Sequence, residues 1–292
     1  MKNFGRVLTA MVTPFNDDYS VNYSEAAKLA KYLVNNGSDG IVVAGSTGES
    51  ATLTKDEKLE LFRTVLDAVG NTATVIAGTG SNDTRASIEM TIEAQKIGVH
   101  GAMLVGPYYN KPPQEGFFQH FKAIADSTTL PLIVYNVPGR TSSNILPATI
   151  ARLAEIENIV AVKEASGSLE QVSEIIRTTP NDFLVYSGDD GLTLPLLGVG
   201  GHGVISVAAH IVGKRIQEML TAFFAGDMPK AQALHLELMP FFKVIFITTN
   251  PIPIKEAVNI IGINAGPVRL PLVPPTAGEV EQLRKVMQSI GA

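Results

Sequence analysis

The chain has 292 residues, 45% of them hydrophobic, and a formal net charge of −5, with no cysteine and no tryptophan. This length suits one large α/β barrel with an appendage and is long for a single β-sandwich. The lack of cysteine excludes disulfide scaffolds, thiolate metal sites and cysteine nucleophiles, while the mild acidity and scattered basic residues argue against a nucleic-acid partner.

The N-terminal segment shows no targeting pattern. Its apolar stretch is broken by Thr13-Pro14 and then by Asn16-Asp17-Asp18, so it is shorter than the core of a signal peptide and lacks a small-residue cleavage site. No apolar run of the chain approaches the ~20 residues needed to cross a bilayer. We therefore expect a cytoplasmic protein with no membrane partner.

Short apolar, β-branched runs alternate along the chain with segments of helical spacing. The runs are nearly continuously apolar, as strands buried on both faces are. Eight βα units at roughly 25–35 residues predict a closed (β/α)8 TIM barrel, and an open doubly wound sheet is the alternative. The predicted strands are Val7–Thr13, Gly40–Ala44, Thr74–Gly78, Ala102–Val105, Leu132–Val137, Ile159–Glu164, Phe183–Ser187 and Val204–Ala208.

The segments between and after these runs are predicted to be helices. Thr54-Lys55-Asp56-Glu57 fits a capping box ahead of an apolar stripe. After about Ile211 the strand pattern ends, so we predict a barrel over residues 1–225 and a helical extension packed on it over residues 226–292. The helices predicted in this part of the chain are Gln217–Phe224, Lys230–Ile247, Pro253–Ile261 and Ala277–Ile290.

A lysine lies at the end of the sixth predicted strand. Period-two alternation places Ile159, Ala161 and Lys163 on one face. If that face points into the barrel, Lys163 lies near apolar walls at the carboxyl end of the strands, where such barrels carry their chemistry. Desolvation there would lower the pKa of its ammonium group and make a neutral amine available as a nucleophile. A lysine that reaches solvent from the strand end explains this run equally well.

Two polar residues lie at the end of the fifth predicted strand and in the loop after it. Tyr135 matches Lys163 in depth, and a phenol there can pass protons to and from an amine; a core tyrosine with a satisfied hydroxyl is the alternative. Arg140 can hold a carboxylate by paired hydrogen bonds, although without further context a solvated loop arginine explains it better. The pairing of Tyr135 with Lys163 favours a site at the barrel mouth.

Three other motifs and the histidines are candidate binding sites for anions, cofactors or metals. Gly45-Ser46-Thr47-Gly48-Glu49-Ser50 is a candidate carboxylate site or an ordinary turn, and it lacks the ending of a P-loop. Gly198–Gly203 matches G-x-G-x-x-G but precedes a predicted strand, which argues against dinucleotide binding. The five histidines show no metal-ligand spacing, and Ser187–Asp190 fits a tight turn better than a Mg²⁺ site.

Taken in order, these motifs resemble the pyruvate-dependent class I aldolase family of dihydrodipicolinate synthase and N-acetylneuraminate lyase, and most closely its synthase branch. The resemblance runs from Thr13-Pro14-Phe15 to Arg269-Leu270-Pro271-Leu272. It implies that Lys163 forms a Schiff base with pyruvate, that Tyr135 is the general acid/base, and that no metal or organic cofactor is required. The implied reaction is the condensation of pyruvate with L-aspartate 4-semialdehyde in lysine and diaminopimelate biosynthesis.

The resemblance also implies roles for residues outside these two strands. Thr47 would bind the pyruvate carboxylate, and Arg140 the carboxylate of the second substrate. Ser46 would complete a proton relay with Tyr109, which in this family reaches into the neighbouring subunit's site and so implies a homodimer or homotetramer. The residues implied to line the pyruvate pocket are Gly188 and Ile205.

The chain departs from the synthase pattern at Ser46, where most synthases have threonine. Gly-Ser-Thr-Gly-Glu is the form typical of the sialic acid lyases, whereas Arg140 and Pro107–Pro112 fit the synthases. The alternatives are therefore an N-acetylneuraminate lyase or another 2-oxo-acid aldolase and, in a different class, a non-catalytic 2-oxo-acid-binding protein.

A second departure concerns inhibition by lysine. Lysine-inhibited bacterial members typically have two histidines and a glutamate where this chain has Lys55, Lys58 and Ala86. The chain thus lacks a counter-charge for the ammonium group of the ligand, and nearby lysines would repel it. We expect weak or absent inhibition by lysine.

Overall fold

The computed structural model describes residues 4–292, in which eight parallel strands close into a barrel in chain order. Because β1 pairs with both β2 and β8, the predicted TIM barrel is confirmed and the open sheet is excluded. The strands are β1 (Val7–Ala10), β2 (Gly40–Val43), β3 (Thr74–Gly78), β4 (Gly101–Val105), β5 (Leu132–Asn136), β6 (Ile159–Glu164), β7 (Leu184–Ser187) and β8 (Gly203–Ser206).

Helices surround the barrel, with two of them between β5 and β6. The predicted capping box is formed, because the Thr54 side chain accepts a hydrogen bond from Glu57 N and the Glu57 carboxylate accepts one from Thr54 N. The surrounding helices are α1 (Tyr23–Asn35), α2 (Lys55–Val69), α3 (Thr84–Ile97), α4 (Gln114–Ala125), α5 (Pro138–Thr141), α6 (Pro147–Ala154), α7 (Leu169–Thr178), α8 (Thr193–Gly198) and α9 (Ala209–Phe224).

Three further helices follow α9: α10 (Met228–Val244), α11 (Ile252–Ile260) and α12 (Ala277–Ser289). Helix α10 contacts α8 and α9, and α11 contacts α9. The predicted boundary at residue 225 falls between α9 and α10, although the division into two domains stays a prediction. Within residues 4–292, none of these helices is both long and apolar enough to cross a membrane.

Apolar side chains form two layers, as a barrel with covered strands requires. The outer layer lies between the strands and the helices. The inner layer fills the barrel and includes Leu8, Val42, Ile76, Ile133 and Ile205. Apolar side chains therefore fill the inside of the barrel, and its carboxyl end carries the site described below.

Strands β1 and β8 are shorter than the apolar runs from which they were predicted. Beyond each strand end, side chains accept hydrogen bonds from backbone N–H groups. After β1, Val12 N donates to His210 Nε2. After β8, Val207 N and Ala208 N donate to the carboxylate of Asp190. The apolar residues beyond these strand ends are buried in loops and do not extend the sheet.

One predicted detail of β6 is wrong. Ile159 does not share a face with Ala161 and Lys163, because it packs in the outer layer while Ala161 lies in the inner one. The pairing of β5 with β6 shifts between Leu132 and Ile133, and such a β-bulge resets the alternation of side chains. Beyond the bulge, Ala161 and Lys163 keep the predicted inward direction.

Candidate active site

Lys163 lies inside the carboxyl end of the barrel, next to the last residue of β6. It is 4% exposed, and its Nζ lies 4.3 Å from the ring centre of Tyr135. Burial lowers the pKa of the Lys163 ammonium group to about 7; Asp190 opposes this shift and Arg140 adds to it. Near pH 7 a large fraction of Lys163 is thus a neutral amine, the form that attacks a carbonyl carbon.

Tyr135 lies opposite Lys163 on the neighbouring strand β5, at the depth that the sequence predicts. Its side chain is buried, and burial raises the pKa of the Tyr135 phenol to about 12. The phenol is therefore protonated over the whole physiological range. A protonated phenol beside a neutral amine can donate a proton to an oxygen that leaves or becomes negatively charged.

The absence of a side chain at Gly188 leaves room for Lys163. A Cβ atom at Gly188 would lie 3.2 Å from Lys163 Cε and 2.7 Å from Ala165 Cβ, so even an alanine side chain would crowd both atoms. Ile205, which the resemblance implies as a second lining residue of the pyruvate pocket, is fully buried in the inner layer. It is not among the residues that line the cavity next to Lys163, whereas Val207 is.

Two cavities meet above Lys163. The smaller has a volume of about 150 Å³ and is lined by Lys163, Thr47 and Gly188 among others. The wider has a volume of about 430 Å³. Ser46, Tyr135 and Arg140 line both cavities. The arrangement provides a small space around the amine and a wider approach to it.

The loop after β2 and the segment before α11 meet at the smaller cavity. Asn250 Nδ2 donates a hydrogen bond to Thr47 Oγ1 at 2.9 Å, which leaves the hydroxyl hydrogen of Thr47 free to donate elsewhere. Arg140 Nη2 donates to the backbone oxygen of Asn250 at 3.0 Å. A hydroxyl donor and a guanidinium group near a nucleophilic amine form a site that can hold carboxylates.

A buried ion pair supports this loop, and the sequence analysis did not single it out. Glu49 Oε1 accepts a hydrogen bond from Lys255 Nζ at 2.8 Å, and both side chains are 1% exposed. Glu49 Oε2 accepts one from Arg269 N at 2.9 Å. The φ of Glu49 is +55°, in the left-handed region that non-glycine residues rarely occupy. The carboxylate thus ties a strained loop residue to the C-terminal part of the chain.

The acidic pair after β7 has a structural role. The Asp190 carboxylate accepts hydrogen bonds from Ser206 Oγ and from the backbone after β8, and Asp189 Oδ1 accepts them from Gly191 N and Leu192 N. Over residues 4–292 no cluster of three or more histidine, aspartate or glutamate residues could hold a metal ion. This geometry supports the interpretation of Ser187–Asp190 as a turn.

Tyr109 is the one proposed proton-relay residue that lies away from Lys163 of its own chain. It is 90% exposed and lines neither cavity. Its φ of +72° is uncommon for a residue with a side chain. The adjacent loop is anchored, because Asn110 Nδ2 donates to the backbone oxygen of Asn82 at 2.8 Å. A single chain therefore does not bring Tyr109 into the site.

Comparison with known proteins gives consistent matches. Residues 3–290 match the model of the dihydrodipicolinate synthetase family. The 4-hydroxy-tetrahydrodipicolinate synthase of Heliobacterium modesticaldum is 60% identical over 288 residues, which cover 99% of this chain and 96% of that protein. A solved dihydrodipicolinate synthase from Bacillus anthracis matches with a TM-score of 0.97 and 52% identity over 99% of each chain. One from Cyanidioschyzon merolae with lysine bound matches with a TM-score of 0.98 and 51% identity, over 99% of this chain and 98% of that one.

Proposed function

Because the chain belongs to the dihydrodipicolinate synthetase family, we propose that it is a 4-hydroxy-tetrahydrodipicolinate synthase, a lyase that condenses pyruvate with L-aspartate 4-semialdehyde. The observation that carries this proposal is the buried Lys163 amine, with a pKa of about 7, beside the protonated phenol of Tyr135. This reaction belongs to lysine and diaminopimelate biosynthesis, and we assign it to the cytoplasm, where such small metabolites are made.

We assign the covalent step to Lys163. Its neutral Nζ attacks C2 of pyruvate, and Tyr135 donates the proton with which the hydroxyl of the carbinolamine leaves as water. The resulting iminium withdraws electrons from the methyl group, so a weak base can remove a proton and form the enamine. The enamine carbon attacks the aldehyde carbon of the second substrate, whose amine then attacks the iminium carbon, closes the ring and expels Lys163.

The remaining site residues hold the reactants. We propose that Thr47 donates to the pyruvate carboxylate from within the cavity of about 150 Å³, and that Gly188 leaves room for the iminium. Arg140, which lines both cavities, would hold the carboxylate of the second substrate. Ser46 would exchange protons with Tyr109 of a neighbouring chain, since its own Tyr109 lies outside the site. We therefore infer a homodimer or homotetramer.

A coupled assay tests the proposed function. Pyruvate, L-aspartate 4-semialdehyde, the protein and excess dihydrodipicolinate reductase are mixed, and the loss of NADPH is followed. We expect a loss that requires both substrates and is abolished in Lys163→Ala. Borohydride reduction with pyruvate should add the mass of the reduced adduct to the wild-type protein but not to this variant.

Other outcomes point to the alternatives. An adduct without turnover of L-aspartate 4-semialdehyde would overturn the synthase assignment and favour a lyase for sialic acid or another 2-oxo acid, to which Ser46 points. That activity is measured by the release of pyruvate from N-acetylneuraminate. A folded protein that binds pyruvate but forms neither adduct nor product would be a binding protein.

A further inference from the structure

One buried polar atom in the site has no hydrogen-bond partner. Six buried side-chain nitrogen or oxygen atoms lack one within residues 4–292. Asn250 Oδ1 is the one among them whose residue lines the two cavities above Lys163. Asn250 is 5% exposed, so bulk water does not satisfy this oxygen. Because an unpaired buried acceptor is costly, Oδ1 is suited to a donor that arrives with a ligand.

The other contacts of Asn250 connect it to both residues that we propose to bind carboxylates. Its Nδ2 donates to Thr47 Oγ1, and its backbone oxygen accepts from Arg140 Nη2. The side-chain amide therefore has a fixed orientation, with its nitrogen directed at Thr47. The oxygen of the same amide remains as a neutral acceptor in a residue that contacts Arg140.

We propose that Asn250 Oδ1 accepts a hydrogen bond from the amino group of the second substrate. This inference rests on the proposed synthase function. L-aspartate 4-semialdehyde carries its amino and carboxylate groups on the same carbon, so a carboxylate held by Arg140 places the amino group beside that guanidinium. Asn250 offers an acceptor there that is neutral and does not compete with the carboxylate for Arg140. Asn250 thereby selects an α-amino aldehyde over its deamino analogue.

Asp189 provides a matched control. It also lines the smaller cavity, and it is the one acidic residue among the described residues that line it. However, Asp189 Oδ1 already accepts hydrogen bonds from Gly191 N at 2.8 Å and Leu192 N at 3.3 Å. We assign it to the turn after β7 and expect no part in recognising the amino group.

The test compares two aldehydes that differ only in the amino group. KM is measured for L-aspartate 4-semialdehyde, and Ki for succinate semialdehyde, which lacks that group and competes for the same space. We expect Asn250→Ala to raise KM about tenfold or more, as the loss of one hydrogen bond from a charged donor does, and to change Ki much less. Asp189→Asn should leave the ratio of KM to Ki unchanged.

Asn250→Asp separates the role of the amide oxygen from the role of the amide nitrogen. It keeps an oxygen for the amino group but cannot donate to Thr47. The pyruvate concentration that half-saturates borohydride trapping, measured without the second substrate, should therefore rise in both Asn250 variants. KM for L-aspartate 4-semialdehyde should rise more in Asn250→Ala than in Asn250→Asp, because the aspartate keeps an acceptor for the amino group even though its charge competes for Arg140. If Asn250 served only folding, the half-saturating pyruvate concentration and KM for the aldehyde would change together in both variants. If Asn250→Ala loses its cooperative thermal transition, Asn250→Ser repeats the comparison.

The outcomes separate this inference from the proposed function. If the wild-type protein turns over and Asn250→Ala raises KM and Ki by the same factor, or if Asp189→Asn changes their ratio, the assignment of the amino group to Oδ1 is wrong. If the wild-type protein traps pyruvate but never turns over the aldehyde, the proposed function fails, and this inference fails with it.

Discussion

The burial of Lys163 determines how the formation of its pyruvate adduct depends on pH. Because the pKa of its ammonium group is lowered to about 7, the neutral fraction is small at pH 6 and large at pH 8. We expect the rate of adduct formation to rise about tenfold between these pH values and then to level off. The rate is measured by mass spectrometry with cyanoborohydride in excess, so that trapping is not limiting.

Tyr135→Phe is the control for this profile. The pKa of the Tyr135 phenol is raised to about 12, so the phenol does not titrate between pH 6 and 9. The variant should therefore form the adduct about a hundredfold more slowly at every pH, with an unchanged midpoint. A midpoint near the ordinary pKa of lysine would contradict the buried, neutral amine.

Lys163 and Tyr135 can be identified from the sequence because each lies near the end of a buried strand, and a strand pattern depends on neighbouring residues alone. Glu49 and Asn250 have no such local pattern. Glu49 pairs with Lys255, 206 positions away, and Asn250 pairs with Thr47, 203 positions away. Which loop meets which part of the C-terminal extension depends on how the helices pack against the barrel, and hydrophobic periodicity does not contain that information.

At the scale of the elements, every predicted strand forms, and the differences lie at strand ends and in β6. The extra residue in β6 depends on its register with β5, so a pattern that counts residues along one strand places Ile159 on the wrong face. The early ends of β1 and β8 depend on His210 and Asp190, which accept backbone hydrogen bonds from other elements. Predictions made from one segment fail where a second segment decides the geometry.

The buried ion pair between Glu49 and Lys255 is expected to matter for stability chiefly when one partner is removed. Lys255→Met leaves a buried carboxylate without its counter-charge and should lower the free energy of unfolding by about 3–5 kcal/mol. Glu49→Gln combined with Lys255→Met leaves no buried charge and should recover part of this loss.

Denaturant unfolding of the wild-type protein, both single variants and the double variant measures the coupling between the two residues. The protein concentration is held constant, because assembly also stabilises the folded state. Losses that simply add in the double variant would contradict a direct pairing.

Helices α2 and α3 carry the residues that bear on inhibition by lysine. Lys58 lines the wider cavity, where burial lowers the pKa of its ammonium group, while Lys55 and Ala86 are exposed. No carboxylate replaces the glutamate expected in lysine-inhibited members at position 86, so we expect millimolar L-lysine to leave more than half of the synthase rate.

Lys58→His with Ala86→Glu should increase the inhibition in the same coupled assay. Half-inhibition of the unmodified protein at micromolar lysine would refute this expectation.

At the scale of the whole molecule, the C-terminal extension completes the site at the barrel mouth. Asn250 and Lys255 both come from the part of the chain after residue 225, yet they hold Thr47 and Glu49 of the loop after β2. The contacts of the site therefore cross the boundary that the sequence predicts at residue 225. A barrel cut at that position would lose the partner of Thr47.

The position of Tyr109 makes assembly part of the proposed mechanism. With its side chain 90% exposed and outside both cavities, Tyr109 acts in catalysis only if it enters the site of another chain. In a symmetric dimer each chain would give its Tyr109 to its partner. Two inactive variants should then complement each other: Lys163→Ala lacks the nucleophile but keeps Tyr109, whereas Tyr109→Phe keeps the nucleophile.

Co-refolding equal amounts of the two variants should restore about one quarter of the wild-type rate, since half of the random dimers are mixed and each has one complete site. Each variant refolded alone is the control, and sedimentation velocity checks that the species is not a monomer. If Tyr109 acted within its own chain, the mixture would be no more active than the average of its components. Activity that returns on mixing would show that the proton relay crosses the interface. Dilution of the wild-type protein below the dissociation constant of the dimer should then abolish turnover, while Lys163 should still form its adduct with pyruvate.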